Sequence, residues 1–354
     1  MRLNGDPLLI RADASIHIGA GHVMRCLALA QAWQETGGEA TFAMATDAPA
    51  IAGRLKAEGM RVVPLGTDAP GADDAVCTIN LARELNPHWV VVDGYQFNSD
   101  YQRAIKDAGL SLLFIDDNGH ADHYYADLVL NQNIHADPGL YVRREPYTRL
   151  LLGTRYLLLR REFLKWREWK REIPGVSRKL LVTMGGGDPD NVTLKVIQAL
   201  EQVQVDGLEA VVVVGGTNFH YQALVAAARN SRVVLRLERD VADMPALMAW
   251  ADMAVSGAGS TCWELAFMGL PTAIVTLADN QETAARMLAE KGMAICVGEG
   301  KSITPENIGP VLTKFAKDYV TRGAMAQKCS LLADGKGAIK VSKLLANSQE
   351  GEII

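Results

Sequence analysis

A histidine placed directly after Gly-x-Gly is the residue of this chain best suited by type and position to move a proton. His22 follows Gly19-Ala20-Gly21 and stands at the start of the helical pattern Val23–Glu35. A helix N-terminus disfavours an imidazolium, so a histidine there can stay neutral and accept a proton. Position alone fits a general base and a helix-capping, hydrogen-bonded histidine equally well. Asp13, just past the first apolar run in RADAS, is placed either to orient His22 or to cap loop N–H groups. His17 lies in the same loop, where it reads as packing or a substrate contact. Asp93 and Tyr95 end the run HWVVVDGYQF. A tyrosine there can bond a sugar hydroxyl, assist a proton transfer, or simply pack with its hydroxyl in water.

A second constellation occupies the other half. In SGAGSTCWELAFMGLP, a small-residue turn through Ser260 and Thr261 leads into a helix, with Glu264 in its first turn. A carboxylate there suits the helix dipole and is also placed to take both hydroxyls of a ribose. Asn280 and Gln281, in ADNQETAA, start a helix after the next strand. Amides at that point suit sugar hydroxyls and amide substituents, and Asn280 equally suits an N-cap.

The elements that must hold these residues follow one grammar. Strand candidates in the first half are Pro7–Ala12, Ala40–Met44, Arg61–Pro64, His88–Asp93, Ser111–Ile115 and Asp127–Leu130, alternating with helical patterns. Those in the second half are Lys179–Met184, Ala210–Val214, Val233–Leu237, Met253–Val255, Thr272–Leu277 and Ala294–Val297. The runs are continuously apolar, the mark of parallel sheets covered on both faces. Each half opens with a strand, a glycine-rich turn and a helix, the second through Gly185-Gly186-Gly187-Asp188. Such a helix start offers unpaired N–H groups to an anion. The fold class expected is α/β: two doubly wound, Rossmann-type domains facing across a cleft, with ligands at the carboxyl ends of both sheets. The predicted division is an N-terminal domain over 1–155, a charged linker helix within 156–178 ending at Pro174-Gly175, a C-terminal domain over 179–340, and a tail over 341–354 whose end, SQEGEII, is expected to fray.

Several functions are disfavoured. Met24 stands where a dinucleotide fingerprint needs its third glycine, and no Walker motif is present, so NAD and ATP are weakly supported. The net charge of −5 and the lack of a basic block argue against nucleic acid. Five cysteines, at 26, 77, 262, 296 and 329, form no CxxC pair, as expected of reduced thiols in a cytoplasmic protein. No zinc-ligand spacing appears, so no metal is expected. The chain shows no secretory signal pattern and no apolar run near the roughly 20 residues of a membrane span.

Taken together, RADASIHIGAGHVMRCLALA, VVDGYQF, LLGTRYLLLRREF, MGGGDPDN, SGAGSTCWELAFMGLP and ADNQETAA resemble MurG-type GT-B proteins. They are most similar to the PseG family of UDP-2,4-diacetamido-2,4,6-trideoxy-β-L-altropyranose hydrolases of pseudaminic acid biosynthesis. The resemblance implies that His22 is the catalytic histidine, that Tyr95 and Asn280 line the sugar site, and that Glu264 holds the uridine ribose. It places the Gly185–Gly187 turn and Ser260–Thr261 around the nucleotide and diphosphate. It implies cleavage of the sugar–phosphate C–O bond by water, with inversion at C1 and release of UDP, using neither metal nor cofactor. The implied partner is a UDP-sugar substrate, with no nucleic acid and no stable membrane association. A MurG-like glycosyltransferase, or a hydrolase of a related nucleotide sugar, is the alternative that this signature leaves open.

Overall fold

The computed structural model describes residues 5–15, 18–66, 72–216, 218–239 and 241–348; His17 lies outside them. Its contacts divide the chain into two units. Residues up to 15, 22–161 and from 335 onward form the first; residues 16–21 and 162–334 form the second.

In the first unit, strands β1 (Pro7–Ala12), β2 (Glu39–Met44), β3 (Arg61–Pro64), β4 (Trp89–Asp93), β5 (Leu112–Ile115), β6 (Leu128–Asn131) and β7 (Arg149–Leu152) form one parallel sheet in the order β3-β2-β1-β4-β5-β6-β7. Helices α1 (Gly21–Glu35), α2 (Pro49–Ala57), α3 (Ala72–Leu85) and α4 (Ser99–Asp107) connect the first five strands. Successive side chains of a strand point to opposite faces. Leu8 and Ile10 of β1 therefore join one core with α1, while Leu9 joins the core on the other face with Tyr101 and Ile105 of α4. All three β1 residues are fully buried, which explains the unbroken apolar run. Helix α1 buries eleven of its fifteen residues, so most of its circumference faces protein.

The second unit opens with α5 (Arg161–Leu164), which straddles the boundary, and then repeats the plan. Strands β8 (Lys179–Thr183), β9 (Glu209–Val214), β10 (Val234–Arg239), β11 (Met253–Gly257), β12 (Thr272–Thr276) and β13 (Ile295–Glu299) form a parallel sheet ordered β10-β9-β8-β11-β12-β13. Helices α6 (Val192–Leu200), α7 (Tyr221–Arg229), α8 (Met244–Trp250), α9 (Thr261–Phe267), α10 (Glu282–Glu290), α11 (Pro305–Lys317) and α12 (Tyr319–Ser330) complete it. No helix among the described residues is long and apolar enough to cross a membrane.

Two expectations about the boundary are corrected. The charged helix expected between 156 and 178 is confined to the four residues of α5. Beyond it the chain is pinned by Arg171, whose guanidinium donates to the carbonyl oxygens of Met248, Ala251 and Met268 at the carboxyl ends of α8 and α9. A helix C-terminus carries unpaired carbonyls and partial negative charge, so a cation is well placed there.

The tail expected over 341–354 is a helix, α13 (Gly337–Asn347), as far as it is described, and it belongs to the first unit. Val341 and Leu345, four residues apart on one face, are fully buried in the core beneath α1. The Trp89 indole donates to the Leu345 carbonyl at 2.9 Å, and the Ser342 hydroxyl to the Ala32 carbonyl at 3.4 Å. Gly337 permits this docking, because a β-carbon there would run into the Leu157 backbone.

Leu345→Ala is accordingly expected to destabilise the first unit by about 2–5 kcal/mol, the usual range for a buried leucine. Urea unfolding followed by tryptophan fluorescence checks this; an unchanged midpoint would show that α13 is not part of the core.

Candidate functional site

The first site gathers where β4, β5 and β6 end and α1 begins. In an open parallel sheet this is the edge at which ligands bind. Gly19, at φ +76°, takes a backbone conformation that glycine adopts without strain, and Gly21 is the first residue of α1. His22 and Arg25 then lie one helical turn apart on the same face. Asp93, the last residue of β4, meets both. Its Oδ1 lies 2.7 Å from His22 Nδ1, and Arg25 binds it bidentately, Nε to Oδ2 and Nη2 to Oδ1, both at 2.6 Å. Arg25 Nη1 also donates to Asp117 Oδ1 at 2.7 Å, just past β5. The other oxygen of Asp117 accepts the Tyr95 hydroxyl at 2.7 Å, and Asn133, just past β6, donates to Oδ1 at 2.6 Å. The Tyr95 and His22 rings meet edge-on, with centroids 4.9 Å apart.

These contacts settle the histidine's tautomer. Arg25 Nη2 is 3.2 Å from His22 Nδ1, but it already donates to Asp93 at a much shorter distance. Asp93, a carboxylate that can only accept, takes a hydrogen from Nδ1, and in the neutral ring the lone pair then lies on Nε2. Nε2 has no hydrogen-bond partner among the described residues. The arrangement is that of a general base oriented by a carboxylate.

The cluster is deeply buried: Asp93 is 0% exposed, Arg25 6%, His22 7% and Asp117 8%. Burial opposes every charge in it, and mutual pairing outweighs burial. Desolvation pushes the Asp93 and Asp117 carboxyls up, yet Arg25 holds both below the usual carboxylate range. Burial likewise works against Arg25, and Asp117 and Asp93 together keep its guanidinium charged. Cys26 is pushed well above the ordinary thiol value by burial and by Asp93, so it is an unreactive neighbour.

Asp13 does not orient His22. Its Oδ1 accepts the backbone N–H groups of Ala45 at 2.8 Å and Thr46 at 3.2 Å, and its Oδ2 pairs with Arg11 at 2.7 Å. Arg11 is fully buried and also holds Asp74, whose Oδ1 accepts the Tyr101 hydroxyl. Asp13 thus ties the end of β1 to the loop after β2, the loop-capping alternative. The orienting acid is Asp93. Arg25, Asp117 and Asn133 escaped the sequence reading, although an arginine three residues after His22, the pair Asp116-Asp117 after β5, and LNQN at β6 were visible signals. His120 is half-buried beside the cluster. Its Nε2 donates to the Phe97 carbonyl at 2.9 Å, and its Nδ1 stands 3.3 Å from Asp116, an ion pair without well-directed hydrogen-bond geometry.

In the second unit, Gly185, at φ +83°, begins the turn after β8. The Gly186 backbone packs so closely on Gly215 that a side chain at 215 would collide with it. Gly187 and Asp188 are buried. The helix start beyond does not offer free N–H groups as expected. Asp188 Oδ1 accepts from Val192 N and Oδ2 from Thr193 N, both at 2.8 Å, and the Thr193 hydroxyl adds a third bond at 2.6 Å. The chain's own carboxylate fills the anion position of α6.

Ser260 and Thr261 open α9, with no side-chain capping bond from Ser260, and Glu264 sits half-buried in its first turn. Gln281 Oε1 accepts the Leu277 N–H at 3.0 Å, closing the turn after β12. Asn280 lies exposed within the short 3-10 segment Asp279–Gln281 and does not cap a helix.

Residues 181–340 match the Glycosyltransferase family 28 C-terminal domain. The chain is 28% identical to the spore coat polysaccharide biosynthesis protein SpsG of Bacillus subtilis over 68% of this chain and 70% of that protein. It is 25% identical to the UDP-2,4-diacetamido-2,4,6-trideoxy-β-L-altropyranose hydrolase of Campylobacter jejuni over 81% of this chain and 98% of the relative. The crystal structure of MurG from Acinetobacter baumannii superposes with a TM-score of 0.64 at 18% identity, covering 96% of this chain and 99% of that one. The two parallel α/β units are those of a GT-B fold.

The buried carboxylates fix how the first unit responds to acid. Asp13, Asp93, Asp116 and Asp117 all titrate below their ordinary value when folded: burial raises each, and pairing, with Arg11, Arg25, His120 and Arg25 respectively, more than offsets it. Carboxyls with depressed native values stabilise the fold above about pH 4, their unfolded value, and that stability is lost as pH falls through the native values. His120 is opposite in sign. Burial lowers it, Asp116 outweighs burial, and its contribution is full below about pH 6.5 and lost as pH rises through the higher native value. The urea midpoint of the first unit is expected to fall steeply below about pH 4; a midpoint level from pH 6 to pH 3 would contradict the buried ion pairs.

Proposed function

We propose that this protein hydrolyses a UDP-sugar, with UDP-2,4-diacetamido-2,4,6-trideoxy-β-L-altropyranose as the substrate, in pseudaminic acid biosynthesis in the cytoplasm. The observation that carries the reading is the His22 imidazole, its Nδ1–H given to Asp93 and its Nε2 lone pair unclaimed. Nε2 takes a proton from water as the water oxygen bonds to C1 of the sugar. The C1–O bond to the β-phosphate breaks, its electron pair leaves on UDP, and C1 is inverted. With the imidazole neutral, two carboxylates face one guanidinium and the cluster carries one unbalanced negative charge. Proton uptake by His22 cancels that charge, so the surroundings favour the transition state over the resting site.

UDP is a stable leaving anion, so the reaction requires activation of water more than a strong acid. The second unit supplies nucleotide recognition: Glu264 holds the ribose hydroxyls, and the Gly185–Gly187 and Ser260–Thr261 turns hold the diphosphate. With the α6 amides occupied by Asp188, backbone N–H groups of those turns bear the larger share. Tyr95 and Asn280 contact the sugar. The match to a glycosyltransferase family 28 domain favours a second reading, transfer of the sugar to an acceptor.

An assay with the UDP-sugar and no acceptor separates the two. Stoichiometric free sugar and UDP support hydrolysis, and turnover that appears only when an acceptor is added overturns it. His22→Asn is expected to lower turnover by roughly 10²–10⁴-fold while UDP affinity is kept; unchanged turnover would remove His22 from the reaction. Glu264→Gln is expected to weaken UDP binding by roughly tenfold or more in calorimetry, as loss of a charged hydrogen bond does, and unaltered binding would contradict the ribose assignment.

A further inference from the structure

We infer that Arg25 is the positioning residue of this site, holding His22 in the uncharged, Nδ1-protonated form that can accept a proton from water. The inference rests on the hydrolase reading for its chemistry, but its geometry stands apart from any substrate.

The groups facing the imidazole come from several elements. Arg25 and Cys26 lie on α1, Asp93 ends β4, Tyr95 follows β4, and Asp117 follows β5; His120 stands behind Tyr95, their ring centroids 5.9 Å apart, and is paired with Asp116. Two of these, Asp93 and Asp117, are buried carboxylates bridged by one guanidinium. Without that cation, two unneutralised negative charges would surround a buried imidazole. A carboxylate within about 4–6 Å favours the charged form of its neighbour. His22 would then hold a proton on both nitrogens at neutral pH and could not act as a base. Arg25 prevents this in two ways. It neutralises one of the two carboxylates, and its Nη2, 3.2 Å from Nδ1, places positive charge beside the ring that would have to become cationic. It also fixes direction: by binding both oxygens of Asp93 it sets the carboxylate plane, and hence the line along which Nδ1–H is held.

Steric support alone predicts something different. A residue that only props up the site would, when replaced, lower activity equally at every pH. A residue that sets the base's protonation would shift the pH profile instead.

The test uses Arg25→Gln, Arg25→Lys and Asp117→Asn in the full chain, with near-UV circular dichroism and the urea midpoint of the first unit as the check on folding. In Arg25→Gln the acid limb of kcat/KM is expected to move to higher pH by about one unit or more, with activity recovering toward wild type in alkali. Arg25→Lys, which restores the cation, brings the limb back toward its wild-type position. Asp117→Asn, which removes a negative charge, moves it to lower pH. The imidazole C–H resonances of His22, followed by NMR without substrate, shift their titration in the same directions. A limb that stays in place while activity falls uniformly overturns the inference, as does an NMR titration that is the same in all four proteins. Should the wild type hydrolyse no UDP-sugar, the functional reading fails, and the NMR titration still decides the role of Arg25. Should Arg25→Gln not fold, Arg25→Met takes its place as the uncharged variant, with the same shift to higher pH expected and an unmoved titration overturning the inference.

Discussion

The first unit is organised around one constraint: two carboxylates, Asp93 and Asp117, are buried where water cannot solvate them, and the Arg25 guanidinium must reach both. A buried charge is tolerated only when paired and hydrogen-bonded. Satisfying three groups at once fixes the end of β4, the end of β5 and the rotation of α1 relative to one another. His22, one turn before Arg25, inherits that placement. The imidazole is therefore aimed by a network, not by its own packing, and Tyr95 is drawn into the network through Asp117. A second buried trio, Arg11 with Asp13 and Asp74, does similar work at β1, tying that strand to the loop after β2 and to α3.

The two units solve the same local problem differently. Each has a glycine-rich turn between its first strand and first helix. In the first unit, the residue delivered to the helix start is a histidine that can exchange a proton. In the second, it is Asp188, whose carboxylate takes the N–H groups of Val192 and Thr193. A turn that looks like an anion cradle in sequence is thus partly self-occupied by the chain's own carboxylate. The same motif grammar yields one turn suited to chemistry and one suited to rigidity.

What the sequence made legible follows from range. Strands buried on both faces announce themselves locally: β1 and β3 have the bounds expected, and most others differ by a residue or two at an end. Strand β7, four residues beside a charged stretch, gave too short a run, and α12 and α13 carry no recognisable motif. His22 stood out because Gly-x-Gly-His is local. Asp93 stood out only as a strand-end acid, and its pairing with His22 did not, because His22 meets Asp93 across 71 positions and Arg25 meets Asp117 across 92. Asp13 was the acid nearest in sequence to His22 and acquired a role that belongs to Asp93, since strand order 1-4 places β4, not the end of β1, beside the helix start. Tyr95 was found, but its hydroxyl proved to be bonded to a carboxylate.

All of this depends on which imidazole nitrogen is left open. Nitrogen-15 NMR of protein labelled at histidine, with His22→Asn to assign the signal, reports that directly. A neutral ring at pH 7 with its hydrogen on Nδ1 is expected, in a strong hydrogen bond that disappears in Asp93→Ala. A hydrogen found on Nε2 in the resting protein would leave no acceptor for a water proton, and would contradict the account.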